Sequence, residues 1–424
     1  MKRKNIHYFI FGFSILTLVV LSACNDFETP PTVWDPNTSY PTGAVITSVS
    51  PANSAIAGVR EIALIGNFSS TLASNWVYFG SEQAINKRIS AAADTLVIYR
   101  PTVFGALDIK AVVVEADSIG KLSYNLESPI ISFDISAITG TYLVMEAGTG
   151  DTMWIASKGS ISKLSPNGID LIPYKDTSYL KPKDITKAAT AFANDFSDMK
   201  FGPHGFLYAT FNTTNCDLIY QLHPDSATPV VYASFPAINS TSKFDFNSNG
   251  DLYTGKSIGL FLVKQGSTPV AVGDYTTDIF VEIRVFNGYV YAATSTSLFK
   301  SPIDPATGMV GNKETVVNIA VADTNLKSCT ISSFNFASDG TVFLSLLNNA
   351  SYSLYILENG SLSPYYRSNI LPIGIDQLIW GGSKYLYLSR GKTGTAADPR
   401  LYKMGMAKED NTPLLGAPYL GRGL

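Results

Sequence analysis

Residues 246–253 read Phe-Asn-Ser-Asn-Gly-Asp-Leu-Tyr, and this octet decides the fold because the chain repeats it. Phe201–Tyr208 (FGPHGFLY) and Phe336–Phe343 (FASDGTVF) are close copies. Val285–Tyr291 (VFNGYVY) is one residue shorter, and Trp380–Tyr387 (WGGSKYLY) lacks the glycine before the hydrophobic-aromatic pair. Val144–Trp154 is a first copy with a three-residue insertion. Each copy is an apolar strand, a turn with Gly or Asn, and a second strand opening on an apolar-aromatic pair. Two-residue alternation on both sides of the turn argues for strands over helices. No long amphipathic helix is evident; 184–193 could form a short one.

A third strand follows each copy: Ile161–Leu164, Leu218–Leu222, Leu260–Val263, Leu298–Lys300, Leu354–Leu357 and Leu401–Met404. A fourth often comes next, as at Val230–Tyr232, Val270–Val272 and Val316–Ile319. Four strands per unit at a spacing of roughly 40 to 58 residues is the pattern of a β-propeller blade. Such units bury their faces only against neighbours, so six copies predict a six-bladed ring over residues 128–424. The recurring aromatics (Tyr208, Tyr253, Tyr291, Phe343, Tyr387) answer a need common to every unit and read as packing between blades. Two closures are open. The strand-like segment 129–135 could complete the last blade, or 413–416 could supply its outer strand.

The N-terminus reads as an address. Lys2, Arg3 and Lys4 precede an apolar run from Ile6 to Leu21, too short for an ordinary membrane span. The run ends in Leu21-Ser22-Ala23-Cys24, which resembles the bacterial lipobox. That resemblance implies a signal peptide over 1–23 and a diacylglycerol on Cys24, hence a membrane anchor without a span. Residues 24–43, with Pro30, Pro31, Pro36 and Pro41, then form a stiff tether. An outer-membrane location is expected, facing the surface or the periplasm. Losing Lys2, Arg3 and Lys4 from 31 basic residues leaves 28 against 34 acidic ones. This mild negative balance argues against nucleic acid as a partner.

Residues 44–127 show short alternating strands punctuated by Gly and Pro, an immunoglobulin-like sandwich pattern. Ser50-Pro51, Gly58, the strand ending at Gly66 with Phe68 behind it, and Val77-Tyr78-Phe79-Gly80 resemble the IPT/TIG family in its order. The family's usual Gly shortly after that Pro is replaced by Ser54 or Ala55. The resemblance implies a spacer. The whole chain therefore reads as all-β, an IPT/TIG sandwich followed by a six-bladed propeller.

Catalytic signatures are sparse. Of three histidines, His7 lies in the signal, His204 in a turn, and His223 after a third strand, none beside a nucleophile. No metal-type Cys spacing, His-Glu-x-x-His, P-loop or EF-hand occurs, so no cofactor or metal is expected. Cys216 and Cys329 fall in the second and fifth units and read as buried thiols, too far apart to bridge. Asp198, Asp245, Glu282 and Asp376 sit near inner strands, where propellers of the lactonase type hold a divalent metal. They share no single repeat position, so convergence on one point is not expected.

Binding is the preferred reading, through the mouth built from loops between second and third strands and from connections between blades. Its candidate residues are Tyr179, Phe211, Asn212, Asn215, Tyr275, Phe280, Asn348, Tyr352 and Arg390, with Asp198, Glu282 and Asp376. Amides and hydroxyls can bond sugar hydroxyls, and aromatic faces can stack on sugar rings. The partner expected is a glycan or an outer-membrane protein. Two alternatives stand beside it: a propeller-type lyase or hydrolase acting at the channel mouth, and a structural subunit of an outer-membrane complex. Asp94-Thr95-Leu96, Asp117-Ser118-Ile119, Asp151-Thr152-Met153 and Asp225-Ser226-Ala227 resemble the O-glycosylation acceptor of Bacteroidota. With the lipobox, they make the chain similar to lipoproteins of that phylum that join IPT/TIG units to NHL-like propellers.

Overall fold

The computed structural model describes residues 43–406 and 414–417, apart from 59–60, 115, 117, 129, 134, 136–143, 158–159, 169, 176–195, 213–216, 227, 236–241, 350–351, 366–370, 372–373, 381–383 and 391–400. Cys24, Tyr179, Asn215, Cys216 and the short helix expected over 184–193 lie outside these residues. The described structure is built almost entirely of strands, in two units.

The first unit is a pair of sheets. One joins Val45–Ser50, Glu61–Asn67, Thr95–Tyr99 and Asn86–Ile89 in that spatial order. The other joins Ser54–Ile56, Ile119–Glu127, Gly105–Val113, Asn75–Phe79 and Glu82–Gln83. Their inward residues share one core: Ile46, Ile62, Leu64, Leu96 and Ile98 from one sheet meet Val77, Phe79, Ile109, Ala111 and Leu126 from the other. Alternation in each strand sends one set inward and the other to solvent, as in a half-buried sheet. Tyr124 buries its ring here and donates its hydroxyl to the Pro51 carbonyl at 2.6 Å.

The second unit holds six four-stranded antiparallel sheets. Their inner strands are Val144–Ala147, Phe196–Phe201, Lys243–Phe246, Glu282–Phe286, Thr330–Phe336 and Ile375–Trp380. Each inner strand packs against the next, and the sixth packs against the first, so the sheets form a closed ring. The octet supplies the first hairpin of the third sheet. Asn247 Oδ1 accepts the Asn249 and Asp251 amides, and Gly250 takes φ +85°, which a side chain would resist.

The recurring aromatics pack between sheets. Trp154 meets Phe201 at 5.6 Å between centroids, Tyr208 meets Phe246 at 4.8 Å, Tyr291 meets Phe336 at 4.6 Å, and Phe343 meets Trp380 at 5.3 Å. In every case the second-strand aromatic of one sheet reaches the inner-strand aromatic of the next. The repeat therefore encodes the interface between sheets.

Of the two closures, the first is realised. Ile130–Phe133 pairs antiparallel with Leu401–Gly405 as the outer strand of the sixth sheet. Residues 414–417 run elsewhere: Gly416 bridges Ala337, and Ala417 donates to the Phe336 carbonyl. The two units also touch. Ile56 is buried in one cluster with Leu386, Tyr402 and Met404 of the sixth sheet.

Ile131 stands directly opposite Lys403 in the closing ladder. Replacing both with Cys should form a disulfide on oxidation, tying the ring's first strand to its last. Denaturant unfolding of the oxidised protein should then require on the order of 2–4 kcal/mol more than the reduced form.

Candidate functional site

The ring axis is lined by one residue from each inner strand, fixed by register against the recurring aromatics. Glu146 lies opposite Trp154, Lys200 opposite Tyr208, Asp245 opposite Tyr253, Arg284 opposite Tyr291, Asn335 opposite Phe343 and Ile379 opposite Tyr387. All six are buried. Around the ring the sequence is acid, base, acid, base, amide, aliphatic. Two residues earlier on their strands stand Asp198, Lys243, Glu282, Ser333 and Gln377, of which Asp198, Glu282 and Ser333 are buried.

Burying so many charges is costly unless each is paired or hydrogen-bonded. Lys200 Nζ donates to Asp198 Oδ1 at 2.7 Å and lies 4.0 Å from Glu146 Oε2. Arg284 Nε lies 3.6 Å from Glu282 Oε1. The acids also reach forward to the next inner strand. Asp198 Oδ2 accepts the Phe244 amide at 3.0 Å, and Asp245 Oδ2 accepts the Val285 amide at 2.8 Å. Glu282 Oε2 accepts the Ser333 hydroxyl at 3.0 Å, and that hydroxyl accepts the Leu378 amide at 3.2 Å. Asn335 Nδ2 donates to the Leu378 carbonyl at 3.1 Å. The axis is thus a chain of staples between consecutive strands.

The electrostatics follow. Burial would raise the Asp198 carboxyl, but the charges of Lys200, Lys243 and Arg284 outweigh it and hold that group below its usual range. Burial and Arg284 push Lys200 down, but Asp198, Glu282 and Glu146 outweigh them and raise it. Asp245 has the weaker compensation. Burial pushes its carboxyl up to about 6, against the pull of Arg284, the Val285 and Phe246 amides and Lys200.

Of the four acids, Asp198 and Glu282 share one position, two residues before that of Asp245. Even so, Asp198, Asp245 and Glu282 belong to one network, which the sequence reading did not foresee. Lys200 and Arg284 separate them. Among the described residues, no three His, Cys, Asp or Glu side chains form a group able to hold a metal. Asp198 and Glu282, read as mouth residues, are in fact buried on the axis.

The mouth itself differs from the expected one in a specific way. Tyr275 and Phe280, expected to offer rings for stacking, are core residues. The Tyr275 hydroxyl lies 2.7 Å from the Ser301 hydroxyl, and the two rings pack edge to face. Alternation explains the miss: next to Phe280, Ile279 is 64% exposed instead. Ile258 and Val321, on the same face, are 45% and 82% exposed. Asn348 is exposed at φ +63°. Tyr352 is half-buried against Tyr355, its amide held by Asn349 Oδ1. Asp376 and Arg390 are half-buried at the start of the inner strand and the end of the second strand of the sixth sheet. Phe211 and Asn212 end the second strand of the second sheet. Cys329 is buried, and burial raises its thiol. No described helix is long and apolar enough to cross a membrane.

No protein-family model matches the chain, and no curated protein matches its sequence. Solved structures resemble it at low identity. An auxiliary nutrient binding protein from Bacteroides thetaiotaomicron is 13% identical, with a TM-score of 0.48, covering 88% of this chain and 98% of its own. A putative phosphatase from the same species is 11% identical with the same score and coverage. A gluconolactonase from Xanthomonas campestris is 10% identical, with a TM-score of 0.43, covering 66% of this chain and 95% of its own. These names span binding proteins and enzymes, and none passes to this chain.

Two outcomes test the axis. Lys200→Met should lower stability by roughly 3–5 kcal/mol in urea unfolding, because it strands the buried Asp198 charge; a loss under about 1 kcal/mol would contradict the pairing. The second concerns pH. The Asp245 carboxyl titrates near 6 when folded and near 4 when unfolded. Between those values the folded chain holds a proton that the unfolded chain has lost. Stability from this group is therefore full below pH 4 and declines as pH rises to 6. Asp198 acts oppositely, losing its contribution only below about pH 4. Relative to the parent, Asp245→Asn should gain on the order of 2 kcal/mol between pH 4 and pH 6.5 in paired melts.

Proposed function

We propose that the chain is a lipid-anchored, non-catalytic binding protein. Its ring is a six-bladed β-propeller of NHL-like type, and its sandwich is an IPT/TIG spacer. Support for the propeller comes from six four-stranded sheets in a closed cycle, with the last completed by an N-terminal strand. Support for the spacer is the Ser50-Pro51 turn leading into a two-sheet unit.

The partner is a protein surface docking on the mouth. One observation carries this: the described residues exposed there include Ile258, Ile279 and Val321, while Tyr275 and Phe280 are buried. Aliphatic side chains on neighbouring loops offer apolar contact to a protein surface. The loops are also pre-set. The Phe280 amide donates to the Lys256 carbonyl, and the Ile331 amide at the start of the fifth sheet's inner strand donates to the Ser295 carbonyl, tying each loop to the chain that enters the next sheet. Rigid loops lose less entropy on association. The axial acids do not favour an enzyme, because they are engaged with the next strand or with Lys200 and Arg284.

The test is made in cells with the full chain. Labelled palmitate should enter the protein and be lost in Cys24→Ser. A photo-crosslinker at Ile279 or Val321 should give discrete protein adducts that Ile258→Asp weakens, and one at Ser248, on the opposite face, should not. Mouth positions that give no adduct, together with glycan binding on an array that Ile258→Asp weakens, would replace the protein partner with a sugar.

A further inference from the structure

The face opposite the mouth carries a cleft of about 520 Å³ between the third and fourth sheets. It lies at the first hairpin turns of both sheets, and one of these turns is the octet itself. Its size falls within the range of small-molecule sites. One wall does not recur around the ring. The connection between the third and fourth strands of the fourth sheet runs from Ile303 to Lys313, whereas the fifth sheet makes the same connection with Asn359 and Gly360 alone. This long loop leans on the third sheet: the Tyr253 hydroxyl donates to the Gly308 carbonyl at 2.7 Å. Its Ile303 and Pro305 line the cleft.

The lining has two chemistries. Val285, Ile303 and Pro305, all partly exposed, give an apolar floor over the buried rings of Phe246 and Phe286, and Ser248, Asn249 and Asn287 give a polar rim. No lining residue carries a charge. Asn247 is spent within its own turn, its Oδ1 on two backbone amides and its Nδ2 on Asp251. Asn249 and Asn287 are exposed. Asn249 Nδ2 reaches the Pro305 carbonyl at 3.5 Å, the outer limit for a hydrogen bond and readily exchanged for a ligand hydroxyl. Asn287 takes φ +48° and Gly288 φ +77° in a two-residue hairpin turn, which fixes where that amide sits.

We propose that this cleft binds one or two residues of an uncharged sugar. The C–H face of a pyranose lies on the apolar floor, and its hydroxyls bond the Asn249 and Asn287 amides and the Ser248 hydroxyl. An anionic sugar would be desolvated with no compensating cation among the lining residues, so neutral sugars are selected. This site is independent of the mouth and of the partner assigned to it.

Calorimetry and saturation-transfer NMR on the full chain in detergent test the assignment. The neutral probes are maltose, cellobiose, xylobiose and diacetylchitobiose; the charged probes are glucuronate and glucose 6-phosphate. At least one neutral probe should bind with a Kd below about 10 mM, and the charged ones should not. Asn287→Gly keeps the left-handed turn and removes the amide, so affinity should fall about tenfold. Ser248→Trp fills the cleft from an exposed position and should abolish binding. Asn359→Gly makes the same change at an exposed, left-handed Asn in the turn between the third and fourth strands of the fifth sheet and should leave affinity unchanged. The proposal is overturned if no neutral probe binds, if charged probes bind equally, or if both cleft variants bind as the parent does. Mouth crosslinking is read separately, so either site can fail alone.

Discussion

A carboxylate or amide on one inner strand reaching the backbone of the next is the constraint on which the ring depends. Asp198, Asp245 and Asn335 each do this directly, while Glu282 accepts the Ser333 hydroxyl of the next strand, which in turn accepts the Leu378 amide of the strand after it. Inner strands of neighbouring sheets form no ladder with each other, so their facing backbone groups need partners from elsewhere. Side chains at the axis provide them. Once acids are drawn to the axis for this purpose, Lys200 and Arg284 become necessary to offset their charge. Polar pairing thus sets the spacing at the centre, and the aromatic contacts set it further out.

Much of the fold was legible because the same physical demand is met several times. A turn that needs a positive φ, a strand that opens on an aromatic, and an aromatic that meets its neighbour recur together, and the recurrence survives drift at single positions. The shortened copy at Val285–Tyr291 keeps its register through the Asn287-Gly288 turn. Closure was ambiguous for the opposite reason. It happens once, and both 129–135 and 413–416 have enough apolar residues to be strands. Pairing with Leu401–Gly405 is a long-range fact that local pattern does not encode.

The candidate sites were harder to read, and Phe280 shows why. Its loop is polar, and an aromatic in such a loop looks available for binding. Alternation and the neighbouring Tyr275 turn it inward, exposing Ile279. The axial network was hidden differently. Counting back from the second-strand aromatic would have aligned Glu146, Lys200, Asp245, Arg284 and Asn335, but no single residue type repeats there. The cleft depends on a loop of one sheet leaning on another through Tyr253 and Gly308, a contact spanning 55 residues.

Closure by Ile130–Phe133 also orders events in time. As the chain emerges from the ribosome, this strand appears directly after the sandwich, yet its partner Leu401–Gly405 is made only after the other five sheets. Through most of synthesis it is an unpaired edge with Ile130, Ile131 and Phe133 uncovered, the kind of edge that invites pairing with another chain. The sandwich can complete its own core in that interval, since all nine of its strands precede the closing strand. The ring cannot. Its last sheet waits for both ends of the domain, and a stop between Pro364 and Ile375 leaves a five-sheet arc with an open seam in place of a shorter ring.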